Sequence, residues 1–88
     1  MAASNWSLTE KGLKRVLVFK SFTELTKFLE KLGPEADTCD HHPDLRVFRA
    51  THLEIHLVTH DVGKVTEKDE ALANVIDQLA KDFVLIPG

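Results

Sequence analysis

Val47-Phe48-Arg49-Ala50-Thr51-His52-Leu53-Glu54-Ile55-His56-Leu57-Val58-Thr59-His60 is the stretch that decides the fold. Leu53, Ile55, Leu57 and Thr59 alternate with His52, Glu54, His56, Val58 and His60. A period of two sends successive side chains to opposite faces of an extended strand, so one face is apolar and the other carries imidazoles. Arg49-Ala50 marks a bend or hairpin between this strand and one around Arg46–Phe48, and Gly63 ends the run.

Upstream, Leu13-Lys-Arg-Val-Leu-Val-Phe19 is apolar and β-branched and reads as another strand. Ser21-Phe22-Thr23-Glu24 has the pattern of a capping box. Phe22, Leu25, Phe28, Leu29 and Leu32 follow at helical spacing, and Gly33-Pro34 is expected to stop that helix, leaving 34–45 as an acidic loop. Downstream, Thr66-Glu67-Lys68-Asp69 opens a second helix with Ala71, Leu72, Val75, Ile76, Leu79 and Phe83 along one stripe. The expected fold is α+β, in the order β-α-β-β-α. An antiparallel sheet carries two helices, near 21–32 and 67–82, on one face. The histidine-bearing face is left for a ligand or another subunit.

The 88 residues make one domain, 1–88, with no repeat or linker. A net charge of -3 argues against a nucleic-acid binder working through a basic surface. One cysteine, Cys39, excludes an intramolecular disulfide framework and suits a reducing compartment. No apolar run approaches the ~20 residues needed to span a bilayer. The start, Met1-Ala2-Ala3-Ser4-Asn5, has neither a basic nor an apolar region of a secretory signal, so the cytoplasm is the expected address.

All five histidines lie between positions 41 and 60. His42 precedes Pro43, which favours extended backbone there and points the two imidazoles of His41-His42 apart. His52, His56 and His60 share a strand face, but residues four apart along a strand are separated by ~13 Å, too far to share one ion. Neither an H-E-x-x-H motif nor a Cys/His ligand spacing is present, so no metal is expected. Imidazoles near carboxylates instead suit proton transfer, and Asp37, Asp40, Asp44 and Asp61 are close enough in sequence to orient them. The competing reading is a solvated sheet face that happens to carry histidines. Nothing in the chain resembles an activated nucleophile.

Asp37-Thr-Cys-Asp-His41-His42-Pro43, with Thr59-His60-Asp61-x-Gly63 and Thr66-x-x-Asp69, resembles the pterin-4a-carbinolamine dehydratase family. The resemblance runs from about Trp6 to Phe83 and includes Phe19-x-x-Phe22. It departs in a connection between His-His-Pro and Thr-His-Asp about one residue longer than usual, in the lack of any Tyr, and in Asp37 where Glu is frequent. The resemblance implies elimination of water from a 4a-hydroxytetrahydropterin, with His41 and His60 transferring protons and His42 holding the pterin. It places Asp37, Pro43, Phe48, Asp61 and Asp69 on the substrate-binding side. Asp69 has a second reading as a helix cap. His52 and His56 have no counterpart in the motif and are expected at the surface or a subunit interface. No cofactor or metal is implied. A homodimer or homotetramer is, and so is the alternative of a non-enzymatic dimerisation or assembly cofactor on the same scaffold.

Overall fold

Along His52–Leu57 the alternation sorts the side chains as its period demands. Leu53, Ile55 and Leu57 are fully buried, while His52, Glu54 and His56 are half-buried on the opposite face. The computed structural model describes residues 5–87 and gives six elements: β1 (Ser7–Thr9), β2 (Gly12–Val18), α1 (Phe22–Cys39), β3 (Asp44–Phe48), β4 (His52–Leu57) and α2 (Glu67–Ala80). Met1–Ser4, on which the reading of the chain start rests, lie outside the described residues. All strand pairs are antiparallel and the sheet order is β1-β2-β4-β3. The α+β architecture is the expected one, with one addition. β1 is a three-residue edge strand, too short for its alternation to register in the sequence.

Both helices pack on the face carrying Leu13, Leu17, Leu53, Ile55 and Leu57, where Leu25, Phe28 and Leu32 of α1 meet Leu72, Ala73 and Ile76 of α2. Phe22 does not join them. It is 56% exposed at the first helical position, ahead of the buried stripe. Trp6 Nε1 donates to Asp77 on α2, and Arg15 forms an ion pair with the same carboxylate, so one acid ties the N-terminal segment and β2 to that helix. On β3, Leu45 and Val47 lie opposite Ile55 and Leu53 yet stay 42% exposed, because the helices stop short of this edge strand. Among the described residues no helix is long and apolar enough to cross a membrane.

Gly33-Pro34 does not end α1, which runs on to Cys39. Proline usually breaks a helix by removing one amide and crowding the carbonyl four residues back. Here Glu30, Gly33, Pro34 and Glu35 are all exposed, so water can take up the freed carbonyl. Buried Ala36 anchors the last turn to the core. The helix closes at Asp40, in the left-handed region at φ 51, and the His41 amide then bonds to the Ala36 carbonyl at 3.3 Å. The expected loop over 34–45 is therefore a helical turn, a cap and the start of β3. At the hairpin, Arg49 and Ala50 both have positive φ, which confirms the bend read between the two strands.

Two glycines separate backbone need from mere presence. Gly12 sits at φ 108 and a Cβ there would lie 2.1 Å from the Leu57 carbonyl oxygen, whereas a Cβ at Gly33 meets nothing within 4 Å. Gly33→Ala should stabilise the protein by about 0.5–1 kcal/mol. Gly12→Ala should lower the melting temperature sharply or prevent folding. Thermal unfolding followed by circular dichroism checks both, and a tolerated Gly12→Ala would contradict the close approach of β2 to β4.

Candidate active site

The continuation of α1 decides where the histidines go. Its left-handed cap at Asp40 turns the chain so that His41 and His42 leave the helix end and Pro43 delivers it to Asp44, the first residue of β3. Asp44 pairs with His56, near the end of β4, so His-His-Pro and Thr59-His60 lie at one end of the sheet. His60 is carried on a tight loop. The Gly63 amide bonds back to the Thr59 carbonyl at 2.9 Å, the Thr59 amide to that of Lys64 at 3.1 Å, and Gly63 supplies the positive φ of 68 that the turn needs.

Each of the three motif histidines meets a carboxylate through Nε2. His41 contacts Asp69 Oδ1 at 2.6 Å, His42 contacts Asp37 Oδ1 at 2.8 Å and His60 contacts Asp44 Oδ2 at 3.2 Å. An ionised carboxylate only accepts, so in a neutral imidazole each bond makes Nε2 the donor and leaves Nδ1 with a lone pair. The pairs differ in burial. His41 is 13% exposed and Asp69 is fully buried, while both members of the His42 and His60 pairs stand well out in solvent.

Asp69 fills the capping reading of its sequence position and also reaches a motif histidine, with a different oxygen for each. Oδ2 accepts from the Thr66 amide at 2.9 Å and from Thr59 Oγ1 at 2.8 Å, completing the capping box of α2. Oδ1 is left for His41. Burial pushes the Asp69 carboxyl up, and the bonds from His41, the Thr66 amide and Thr59 together outweigh it, holding the group below the usual carboxylate range. Thr66 Oγ1 lies 2.7 Å from Thr59 Oγ1, so a line of hydroxyls supports the carboxylate from beneath.

The remaining predicted positions divide. Asp37 lies in the last turn of α1 and reaches His42, and Pro43, next in the chain, is half-buried. Asp61 is exposed on the His60 loop. Phe48 is at the far end of β3, about 13 Å along the strand from Asp44. There it lies against His52, with ring centroids 4.9 Å apart, and under the Arg46 guanidinium at 4.4 Å. Within one chain the structure does not bring Phe48 to the three histidines. His60 is likewise not on one strand face with His52 and His56, since β4 ends at Leu57.

Among the described residues no group of three or more His, Cys, Asp or Glu gathers as metal ligands do. Asp44, one of the four acids the sequence sets near the histidines, is the one that meets His60. The task of the Thr59 hydroxyl escaped sequence reasoning: it donates to Asp69, ten residues on, and the Thr-His-Asp motif shows only that Thr59 neighbours His60.

A family model described as pterin 4 alpha carbinolamine dehydratase matches residues 1–79. A protein of Sulfolobus acidocaldarius is 43% identical over 74 residues, 84% of this chain and 80% of its own. One of Picosynechococcus is 39% identical over 74 residues, 84% and 79%. Both carry the name "Putative pterin-4-alpha-carbinolamine dehydratase". The crystal structure of a transcriptional coactivator/pterin dehydratase from Brucella melitensis superposes with a TM-score of 0.82 at 26% identity, covering 90% of this chain and 85% of that one. A pterin dehydratase-like protein identified as a RuBisCO assembly factor shares the fold, at TM-score 0.72 and 24% identity over 91% and 94% of the two chains.

The depressed Asp69 carboxyl gives a pH prediction. A group whose folded pKa lies below its unfolded value adds stability above the unfolded value, near 3.9, and loses it as pH falls through the folded one. Urea unfolding should therefore find wild type more stable than Asp69→Asn at pH 7, with the gap narrowing below about pH 4. A gap that stays constant into strong acid would mean that Asp69 is not held ionised by these bonds.

Proposed function

The chain belongs to the pterin-4a-carbinolamine dehydratase family, and we propose that it eliminates water from 4a-hydroxytetrahydropterin by histidine acid–base catalysis, in tetrahydropterin recycling. The observation that carries this reading is that each of the three motif histidines is held by a carboxylate through Nε2. The chemistry asks for a base at N5 and an acid at the 4a-hydroxyl. His41 is the better base. Its Nδ1 lone pair is free, and the buried Asp69 carboxylate opposite Nε2 stabilises the imidazolium that forms. His60, as imidazolium, donates to the departing oxygen. The N5–H proton passes to His41, the freed electron pair forms the C4a=N5 bond, and the C4a–O bond breaks as His60 supplies the proton that makes water. Solvent then restores both histidines. His42 holds the substrate, oriented by Asp37, with Pro43 and Asp61 beside it.

The family's fold does not by itself establish activity, since a relative of the same fold is identified as an assembly factor. A binding-only role as a dimerisation or assembly cofactor has no use for three carboxylate-held imidazoles, which favours the enzyme. We further propose a homo-oligomer in the cytoplasm. The uncovered β3 edge with Leu45 and Val47 is a surface on which a second copy gains burial.

Stopped-flow dehydration of a 4a-hydroxytetrahydropterin tests the activity. Wild type should exceed the spontaneous rate, and His41→Ala and His60→Ala should each lower kcat/KM by roughly 10²-fold or more. His42→Ala should act mainly on KM, and His52→Ala should be nearly silent. Folded His41→Ala and His60→Ala variants with wild-type rates would refute the mechanism.

A further inference from the structure

Thr59, the residue before His60, is buried and its backbone is held on both sides. Its amide donates to the Lys64 carbonyl at 3.1 Å, and its carbonyl accepts from the Val62 and Gly63 amides. The hydroxyl is thereby delivered to one place, 2.8 Å from Asp69 Oδ2. The direction of the bonds behind it follows from what each group can give. An ionised Asp69 only accepts, so the single hydroxyl proton of Thr59 goes to it. Thr66 Oγ1, 2.7 Å from Thr59 Oγ1, is then the donor in that contact, and it accepts in turn from the Lys68 amide at 3.3 Å. Three donors in series point toward one carboxylate oxygen, and each polarises the next.

Dehydration puts a proton on His41 Nδ1 while Nε2 keeps its own, 2.6 Å from Asp69 Oδ1. Burial disfavours charged forms, so such a pair tends to neutralise itself by passing the Nε2 proton to the carboxylate. The ring is then a neutral imidazole with its proton on Nδ1, which solvent removes far less readily than a proton of an imidazolium. We propose that Thr59 is a positioning residue for this reaction: its hydroxyl, directed by Thr66, keeps Asp69 an acceptor, so that the proton taken from N5 leaves for solvent from an imidazolium. The inference rests on the dehydratase reading. It gives the hydroxyl beside one proton-transferring histidine a task at the other, His41, through the carboxylate that both threonines support.

Dehydration rates of a 4a-hydroxytetrahydropterin, corrected for the spontaneous reaction, test this. Thr59→Val, which keeps the shape and removes the donor, should lower kcat about 10-fold, the size of one hydrogen bond to a charged group, with KM unchanged. Thr59→Ser restores the donor and should stay near the wild-type kcat. Asp69→Asn leaves no charge to hold, so adding Thr59→Val to it should lower kcat no further. If Thr59→Val does not fold, Thr59→Cys, whose weaker donor should give an intermediate kcat, carries the test by the same comparisons. A folded Thr59→Val with the wild-type kcat, a loss confined to KM, an equal loss in Thr59→Ser, or losses that multiply in the double variant would overturn the proposal. If wild type itself does not exceed the spontaneous rate, the dehydratase reading fails and takes this one with it. Failure of the Thr59 role alone leaves the wild-type rate above the spontaneous one.

Discussion

A fully buried carboxylate, that of Asp69, is the constraint on which fold and site both depend. An ionised acid out of contact with water is costly unless its oxygens are hydrogen-bonded. The chain meets that requirement with three donors from separate places: the Thr66 amide, the Thr59 hydroxyl and His41 Nε2. The first starts α2, and its position at the helix N-terminus favours the negative charge. The second fastens the segment leaving β4. The third reaches across from the end of α1. One group therefore joins the two helices and the central sheet at the place where the histidines gather. Loss of any donor would be felt in the fold as well as in the chemistry.

Repetition of the histidine–carboxylate pair at different depths gives like side chains unlike properties. In the His41 pair, the buried Asp69 carboxylate contacts Nε2 away from bulk water and so orients the ring. The His42 and His60 pairs stand in water, where the same contact is weakened by solvent and salt. The gradient runs from a buried pair to two exposed ones, and it arises from where Asp69, Asp37 and Asp44 fall on the elements.

Much of this was legible in the sequence, for definite reasons. The alternation of Leu53, Ile55 and Leu57 fixed the inner face of β4, and Thr66-x-x-Asp69 located the start of α2. The capping pattern could not show that Asp69 serves a second partner, because His41 lies 28 residues away in the chain. Gly33-Pro34 misled because a proline's effect depends on whether the freed carbonyl reaches water, which requires knowing which side of α1 is outside. Phe48 looked close to the motif in sequence, yet a strand spends about 3.3 Å per residue and carries it to the far end of the sheet. His56 reads as a surface or interface residue because nothing in the sequence shows that its partner Glu54, two positions along the same strand, is held in turn by Arg46, which depends on the register of the strand pair.

The contact with Asp69 requires a neutral His41 to be in a single tautomer, protonated at Nε2 and open at Nδ1. Nitrogen-15 NMR of the imidazole side chains at neutral pH tests it directly. In wild type, His41 should show a slowly exchanging proton on Nε2 and an unprotonated Nδ1, and Asp69→Asn, still folded, should shift that population. A folded wild-type protein in which His41 averages between tautomers, or carries its proton on Nδ1, would contradict the claim.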